Sequence, residues 1–120
     1  YYHWLRVQDF GHPAVAVAKA HSFAGFLRDQ SMQATLRQHS YATYLIDGSG
    51  RERCDLFARL EYPADLDPLW QHLGFQLSIP HVNASERNAD WRMYYDAESF
   101  EIVREIAADD IARFGYQTTL

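Results

Sequence analysis

Residues 96–116 read DAESFEIVREIAADDIARFGY. Phe100, Val103, Ala107 and Phe114 recur at helical spacing, with Ile106 and Ile111 beside them, so the stretch predicts one amphipathic helix. Asp96 is an N-cap residue type, Glu98 and Glu101 sit in or near the first turn, and Arg113 sits in the last, matching the helix dipole at both ends. Gly115 terminates the helix. One residue breaks the pattern. Asp110 lies on the stripe with Val103, Ala107 and Phe114, and a carboxylate there must reach a partner, because burial without one is costly.

Upstream of this helix, residues 79–95 read IPHVNASERNADWRMYY. The segment leaves an apolar run, turns at Pro80, and carries His81, Asn83, Ser85, Arg87 and Arg92 before the aromatics Trp91, Tyr94 and Tyr95. It is too rich for a plain connector. Further back, DLDPLWQHL at 65–73 predicts a helix with Leu66, Leu69, Trp70 and Leu73 on one face, ended by Gly74. Residues 41–46, YATYLI, and 54–60, CDLFARL, favour strands, and the DGSG turn at 47–50 between them suggests a hairpin. Ser22 caps a helix with Phe23, Phe26 and Leu27 on one face, and a weaker helix covers Met32–Arg37. Residues 14–20 are small and apolar without a clear period. Residues 1–8, YYHWLRVQ, read as the end of a helix, with Tyr1, Trp4 and Leu5 on one face, stopped by DFGHP at 9–13. A chain opening on four rings reads as one cut inside a helix.

The bulk numbers exclude several classes. The chain has 120 residues, 48% hydrophobic and 15% aromatic, so it is one small domain or part of a larger one, and disorder is not expected. Net charge is −5, against the basic face that nucleic-acid binding relies on. The longest aliphatic run, AVAVA at 14–18, is far short of the roughly 20 residues a membrane span needs, so no membrane partner is expected. Ten of the 11 basic residues are arginine, a side chain suited to gripping phosphate, sulfate or carboxylate, although base composition alone also produces such a bias. Cys54 is the lone cysteine, which fits a reducing, cytoplasmic setting. The six histidines form no pair at i, i+4 spacing, so no metal site is expected. Neither a nucleophile elbow nor a phosphate loop is present. Asn83-Ala84-Ser85 matches a glycosylation sequon, which in this setting is most simply accidental.

Two segments carry a resemblance. His81–Ser85 (HVNAS), Trp91–Asp96 (WRMYYD) and Asp110–Tyr116 (DIARFGY) fall in the order found at the C-terminal end of the carbohydrate-type sulfotransferases, with their HVN-x-S loop, aromatic YR-x-YY-D step and DI-x-x-FGY closing helix. The middle, RQHSYATYLIDGSGRERCDLFARLE at 37–61, is similar to the family's segment that passes a glycine turn to a strand ending in glutamate. The opening YYHWLR resembles the residues that follow the family's 3′-phosphate motif.

The resemblance implies an α/β architecture: the C-terminal portion of a P-loop-like sulfotransferase fold, mostly helical with one or two short strands. Residues 1–120 would be a single, partial domain. Residues 54–60 would then be a strand of a mostly parallel sheet whose other strands come from the N-terminal half, rather than half of a hairpin. The isolated 120 residues are accordingly expected to be aggregation-prone or partly molten. The implied reaction moves a sulfuryl group from 3′-phosphoadenosine-5′-phosphosulfate (PAPS) to a carbohydrate hydroxyl. The family's phosphosulfate loop and usual base lie upstream, so no catalytic residue is assigned. Asn83, Ser85 and Arg87 are the implied cofactor contacts. Tyr1, Tyr2 and Arg6 are the implied acceptor-facing residues, although packing into a core is the simpler expectation for Tyr1. Ala84 stands where related loops often hold a lysine or arginine. The implied partners are a carbohydrate or other hydroxyl acceptor and the remainder of the catalytic domain. Residue physics taken alone also permits a noncatalytic helical interaction module, which the acidic charge and the lack of a complete catalytic set favour.

Overall fold

The computed structural model describes residues 1–80, 82 and 86–119. They are mostly helical. Two compact units divide the chain: residues 1–41 with 83–120, and residues 42–82.

The first unit begins with α1 (Tyr2–Arg6) packed on α2 (Pro13–Ala20). Pro13, read from sequence as a breaker, instead opens α2. At the first helical position proline loses no hydrogen bond, and its fixed φ suits the helix. His12 caps the helix, its Nδ1 accepting from the Ala14 amide at 3.2 Å. The small residues of AVAVA then let α2 approach closely, and Ala14, Val15 and Ala18 are buried. Next come α3 (Phe23–Arg28), capped by Ser22 as its sequence indicates, and α4 (Gln30–Gln38), capped by Asp29. Ser31 and the Met32 amide bind the Asp29 carboxylate and hold it below the usual carboxylate range.

Five further residues complete this core, among them Leu5 from α1, Phe26 and Leu27 from α3, and Met32 from α4. Tyr2 belongs to the same cluster. Both α3 and α4 pack against a later helix, Ala97–Ile106.

Residues 96–116 form two helices, not the single one the periodicity predicts. The chain breaks at Ala107. The second piece, Ala108–Phe114, opens on Asp109 and Asp110, two acids suited to a first turn, and ends at Gly115, whose φ of 66° requires a residue tolerant of the left-handed region. Asp110 finds the partner its position demands: its Oδ2 accepts from the Tyr41 amide at 3.3 Å.

The second unit departs further from the expected strands. Residues 42–45 form a helical turn, α5 (Ala42–Leu45), and residues 54–60 form no strand. The hairpin is reduced to one antiparallel bridge, Ile46 to Glu52, around the turn. That turn is held by Asp47, whose Oδ1 accepts from the Ser49 hydroxyl and from the Ser49 and Arg51 amides, so its pKa is depressed. The physical reason for the missing strands is pairing. A strand needs a neighbour for its backbone groups, and an isolated hairpin is marginal in water. After α5 come a 3-10 turn (Pro63–Leu66) and α6 (Asp67–Leu73), closed by Gly74 at φ 76°. With these named, the later helices are α7 (Ala97–Ile106) and α8 (Ala108–Phe114). Leu56, Leu60, Phe75, Leu77 and Ile79 are all exposed, Leu60 at 91%.

Candidate functional site

The exit of the 79–95 segment is anchored by rings. Trp91–Tyr94 makes a 3-10 turn capped by Asp90, whose carboxylate accepts from the Arg92 amide. Tyr95 stacks edge-on against Phe23 at 4.9 Å and against Phe100 at 5.8 Å. Trp91 meets Tyr95 at 5.7 Å and Phe100 at 6.4 Å. Tyr94 contacts Phe23 at 6.0 Å and His3 at 4.9 Å. The aromatic step therefore ties the segment to α3, α7 and α1 together. Burial raises the Tyr95 phenol above its ordinary pKa.

Asp96 sits at the end of this step and fixes the start of α7. Its carboxylate accepts from the Ser99 amide at 2.8 Å, while the Ser99 hydroxyl bonds the Asp96 backbone, closing a capping box around a fully buried serine. Arg28 reaches across from α3 to Asp96 at 2.5 Å and Glu98 at 2.6 Å. The Ser99 amide and hydroxyl, then Arg28, hold the Asp96 carboxyl far below its ordinary range. A depressed carboxyl contributes stability that is complete above the unfolded value, about 3.9, and is lost as pH falls through the folded value. Asp96→Ala is therefore expected to lower the melting temperature at pH 6, with wild type and variant converging only on strong acidification. Melting curves across pH check it.

The candidate residues divide. Arg87 is exposed, and the segment beside it is pinned by the Asn88 amide donating to the Tyr94 hydroxyl at 2.6 Å. Since the Tyr94 ring lies on His3, this brings the Arg87 region to α1. Burial, then the charges of Arg87 and Arg6, keep His3 toward its neutral form. Arg6 is exposed and touches Tyr2, its Nη1 donating to the Tyr2 hydroxyl at 3.4 Å. Tyr2 itself is 5% exposed, and its hydroxyl donates to the His21 carbonyl at 2.8 Å, so it is occupied as a packing residue. Tyr1 is 59% exposed, with rings near Trp4 and Phe26. Asn83 and Ser85 lie outside the described residues.

Tyr1 also lines a cavity of about 320 Å3 whose walls are Phe26, Leu36, Tyr95 and Val103, with His39, Ser40 and Asp110 as polar members. A more open groove of about 770 Å3 follows α7 and α8, lined by Glu101, Arg104, Glu105 and Tyr116, and none of the described candidate residues lines it. Among the described residues, no group of three histidine, cysteine or acidic side chains is placed to hold a metal ion. No described helix is long and apolar enough to cross a membrane.

His3 is the residue that sequence reasoning missed. A single histidine on a short helix has no period to distinguish it, and the Tyr94 ring against it comes from more than 80 positions away. Compared with protein-family models, curated proteins and solved structures, the chain finds no match.

Proposed function

We propose that this chain is the C-terminal portion of a carbohydrate-type sulfotransferase with a P-loop-like α/β fold. The reaction moves a sulfuryl group from PAPS to a carbohydrate hydroxyl. One observation carries the reading. At the exit of the 79–95 segment the Tyr94 ring lies on His3 of the YYHWLR stretch, and the Asn88 amide, next to Arg87 in sequence, donates to the Tyr94 hydroxyl. These are the two stretches that the resemblance assigns to the surroundings of one bound nucleotide.

In sulfuryl transfer, charge spreads over three equatorial oxygens, and positioned cations offset it. Arg87 is the cation this chain offers, with Asn83 and Ser85 as hydrogen-bonding partners for phosphate or ribose oxygens. Tyr1 and Arg6 remain the acceptor-side residues. Tyr1 also lines the cavity described above, and aromatic walls suit the apolar faces of a sugar ring. The phosphosulfate loop and the base belong to the remainder of the catalytic domain. The exposed apolar side chains of residues 54–60 and 75–79 support such a partner, because they lack a covering layer.

The test is nucleotide affinity in the complete protein. Arg87→Gln is expected to weaken adenosine 3′,5′-bisphosphate binding by roughly tenfold, the scale of one charge-assisted hydrogen bond. Ser85→Ala is expected to weaken it less. Unchanged affinity in both variants removes the loop from the site.

A further inference from the structure

We propose that the cavity of about 320 Å3 in the first unit binds a single-ring aromatic amine, with the ring among Tyr2, Phe23, Phe26 and Tyr95 and the ammonium at the Asp110 carboxylate. The charge of Asp110 is unanswered. Other half-buried aspartates are well supplied: Asp47 holds Arg53, Asp65 holds Arg59, and Asp29 accepts from the Ser31 hydroxyl and the Met32 amide. Asp110 is half-buried too, yet among the described residues it has the Tyr41 amide alone, at 3.3 Å on Oδ2. An amide satisfies one lone pair of a carboxylate without offsetting its charge, and the other oxygen remains an acceptor. A cation brought beside a partly buried anion is screened less than one beside an exposed anion.

His39 adds a second acceptor to the same cavity. Its Nδ1 donates to the Thr35 carbonyl at 2.7 Å, because a carbonyl only accepts. In the neutral ring Nε2 is then an acceptor, and it has no partner among the described residues. The Tyr95 hydroxyl makes no hydrogen bond there either. No enclosed side-chain polar atom of the described residues lacks a partner, so these unpaired atoms can be reached from outside the fold.

The rings supply the rest of the site. Tyr2 meets Phe23 at 5.4 Å and Phe26 at 5.3 Å, and Phe23 meets Tyr95 at 4.9 Å, so the four rings are one connected group. They come from α1, α3 and the step ahead of α7, whereas His39 follows α4 and Asp110 stands in the first turn of α8. Size and charge then select the ligand. Small-molecule pockets run from about 300 to 1,000 Å3, so a cavity at the lower end suits one ring with a short chain. The carboxylate asks for a cation, and aromatic faces attract an ammonium as well.

The site does not rest on the sulfotransferase reading. Phenethylamine is the probe, and its binding to the complete protein is followed by NMR at the Tyr41 amide, whose acceptor is Asp110. Phenethyl alcohol and hydrocinnamate are the controls, with the same ring and a neutral or negative head. The amine is expected to bind with a Kd of about 1 mM or tighter. It is expected to bind roughly tenfold tighter than the alcohol, and the acid more weakly than either. Asp110→Asn keeps an oxygen for the Tyr41 amide and removes the charge. It is expected to weaken the amine roughly tenfold while the alcohol changes by less than about twofold. Val103→Phe, which places a ring in the cavity wall, is expected to weaken both. If that variant fails to fold, the head-group comparison and Asp110→Asn decide by themselves.

A Tyr41 amide unmoved at about 10 mM amine, equal binding of the three probes, or an unchanged amine affinity in Asp110→Asn overturns the site. A neutral disaccharide that moves the Tyr41 amide where the amine does not also overturns it, and leaves the cavity to the acceptor of the proposed enzyme. Amine binding as expected in a complete protein that transfers no sulfuryl group upholds the site while the enzyme reading fails.

Discussion

Phe26→Ala is expected to destabilise the first unit by about 3–5 kcal/mol, the range for removing a buried aromatic from a packed core. Phe26 is 2% exposed and lies in the cluster that joins α1, α2, α3 and α4. Its ring meets Tyr2 at 5.3 Å and Tyr1 at 6.5 Å, so truncation leaves a void directly beneath α1. The loss combines apolar area returned to water with a cavity that short helices on four sides cannot close. Such a figure is a large fraction of the stability of a small domain. Chemical denaturation read by tryptophan fluorescence measures it, since Trp4 and Trp91 both sit near this core. Phe26→Leu keeps most of the volume and is expected to cost less than half as much. Equal losses for the two substitutions, or a loss below about 1 kcal/mol for alanine, would place Phe26 outside the core.

The second large effect is a contrast in hydrogen exchange between the units. Amides of residues 75–79 make no hydrogen bond among the described residues, and the side chains of Phe75, Leu77 and Ile79 are exposed. Amides in the middle of α2 and α4 lie in helices that contribute Ala18 and Met32 to the core. Protection tracks burial and local contact, from almost none in unpaired segments to the global value in core elements. The 75–79 amides are expected to exchange on the order of 100-fold faster than those of α2, or more. Comparable protection in both segments would mean that residues 75–79 are covered by a partner strand. That outcome in a longer chain, alongside fast exchange in the isolated 120 residues, would place the covering layer outside these residues, as the sulfotransferase proposal expects.

What the sequence made legible follows the range of the interactions involved. Caps and terminators are local, so Ser22, Asp96, Gly74 and Gly115 could be read directly and stand where the residue chemistry puts them. The demand of Asp110 for a partner was also legible, because its position on an apolar stripe is a local fact, whereas the identity of that partner was not. Tyr41 lies 69 residues away. The same limit hid the Arg28 bridge to Asp96 and the contact of Tyr94 with His3. DFGHP does follow the end of α1, but the helix that Pro13 opens was not legible, because AVAVA has no clear period and the His12 cap is not a common cap type. The strands failed for a different reason. Residues 41–46 and 54–60 have strand-forming side chains, but propensity cannot supply the neighbouring strand that satisfies a backbone. Trp91, Tyr94 and Tyr95 anchor the segment ahead of Asp96 on the core, through rings whose partners Phe23 and His3 lie far away in the sequence.

The most direct measurement is transfer of labelled sulfate from PAPS by the complete protein to a panel of carbohydrate acceptors. Labelled product on at least one sugar, lost or sharply reduced in Arg87→Gln, is the expected result. No transfer to any acceptor, together with no binding of adenosine 3′,5′-bisphosphate, would contradict the sulfotransferase assignment and leave a noncatalytic helical interaction module as the reading of this chain.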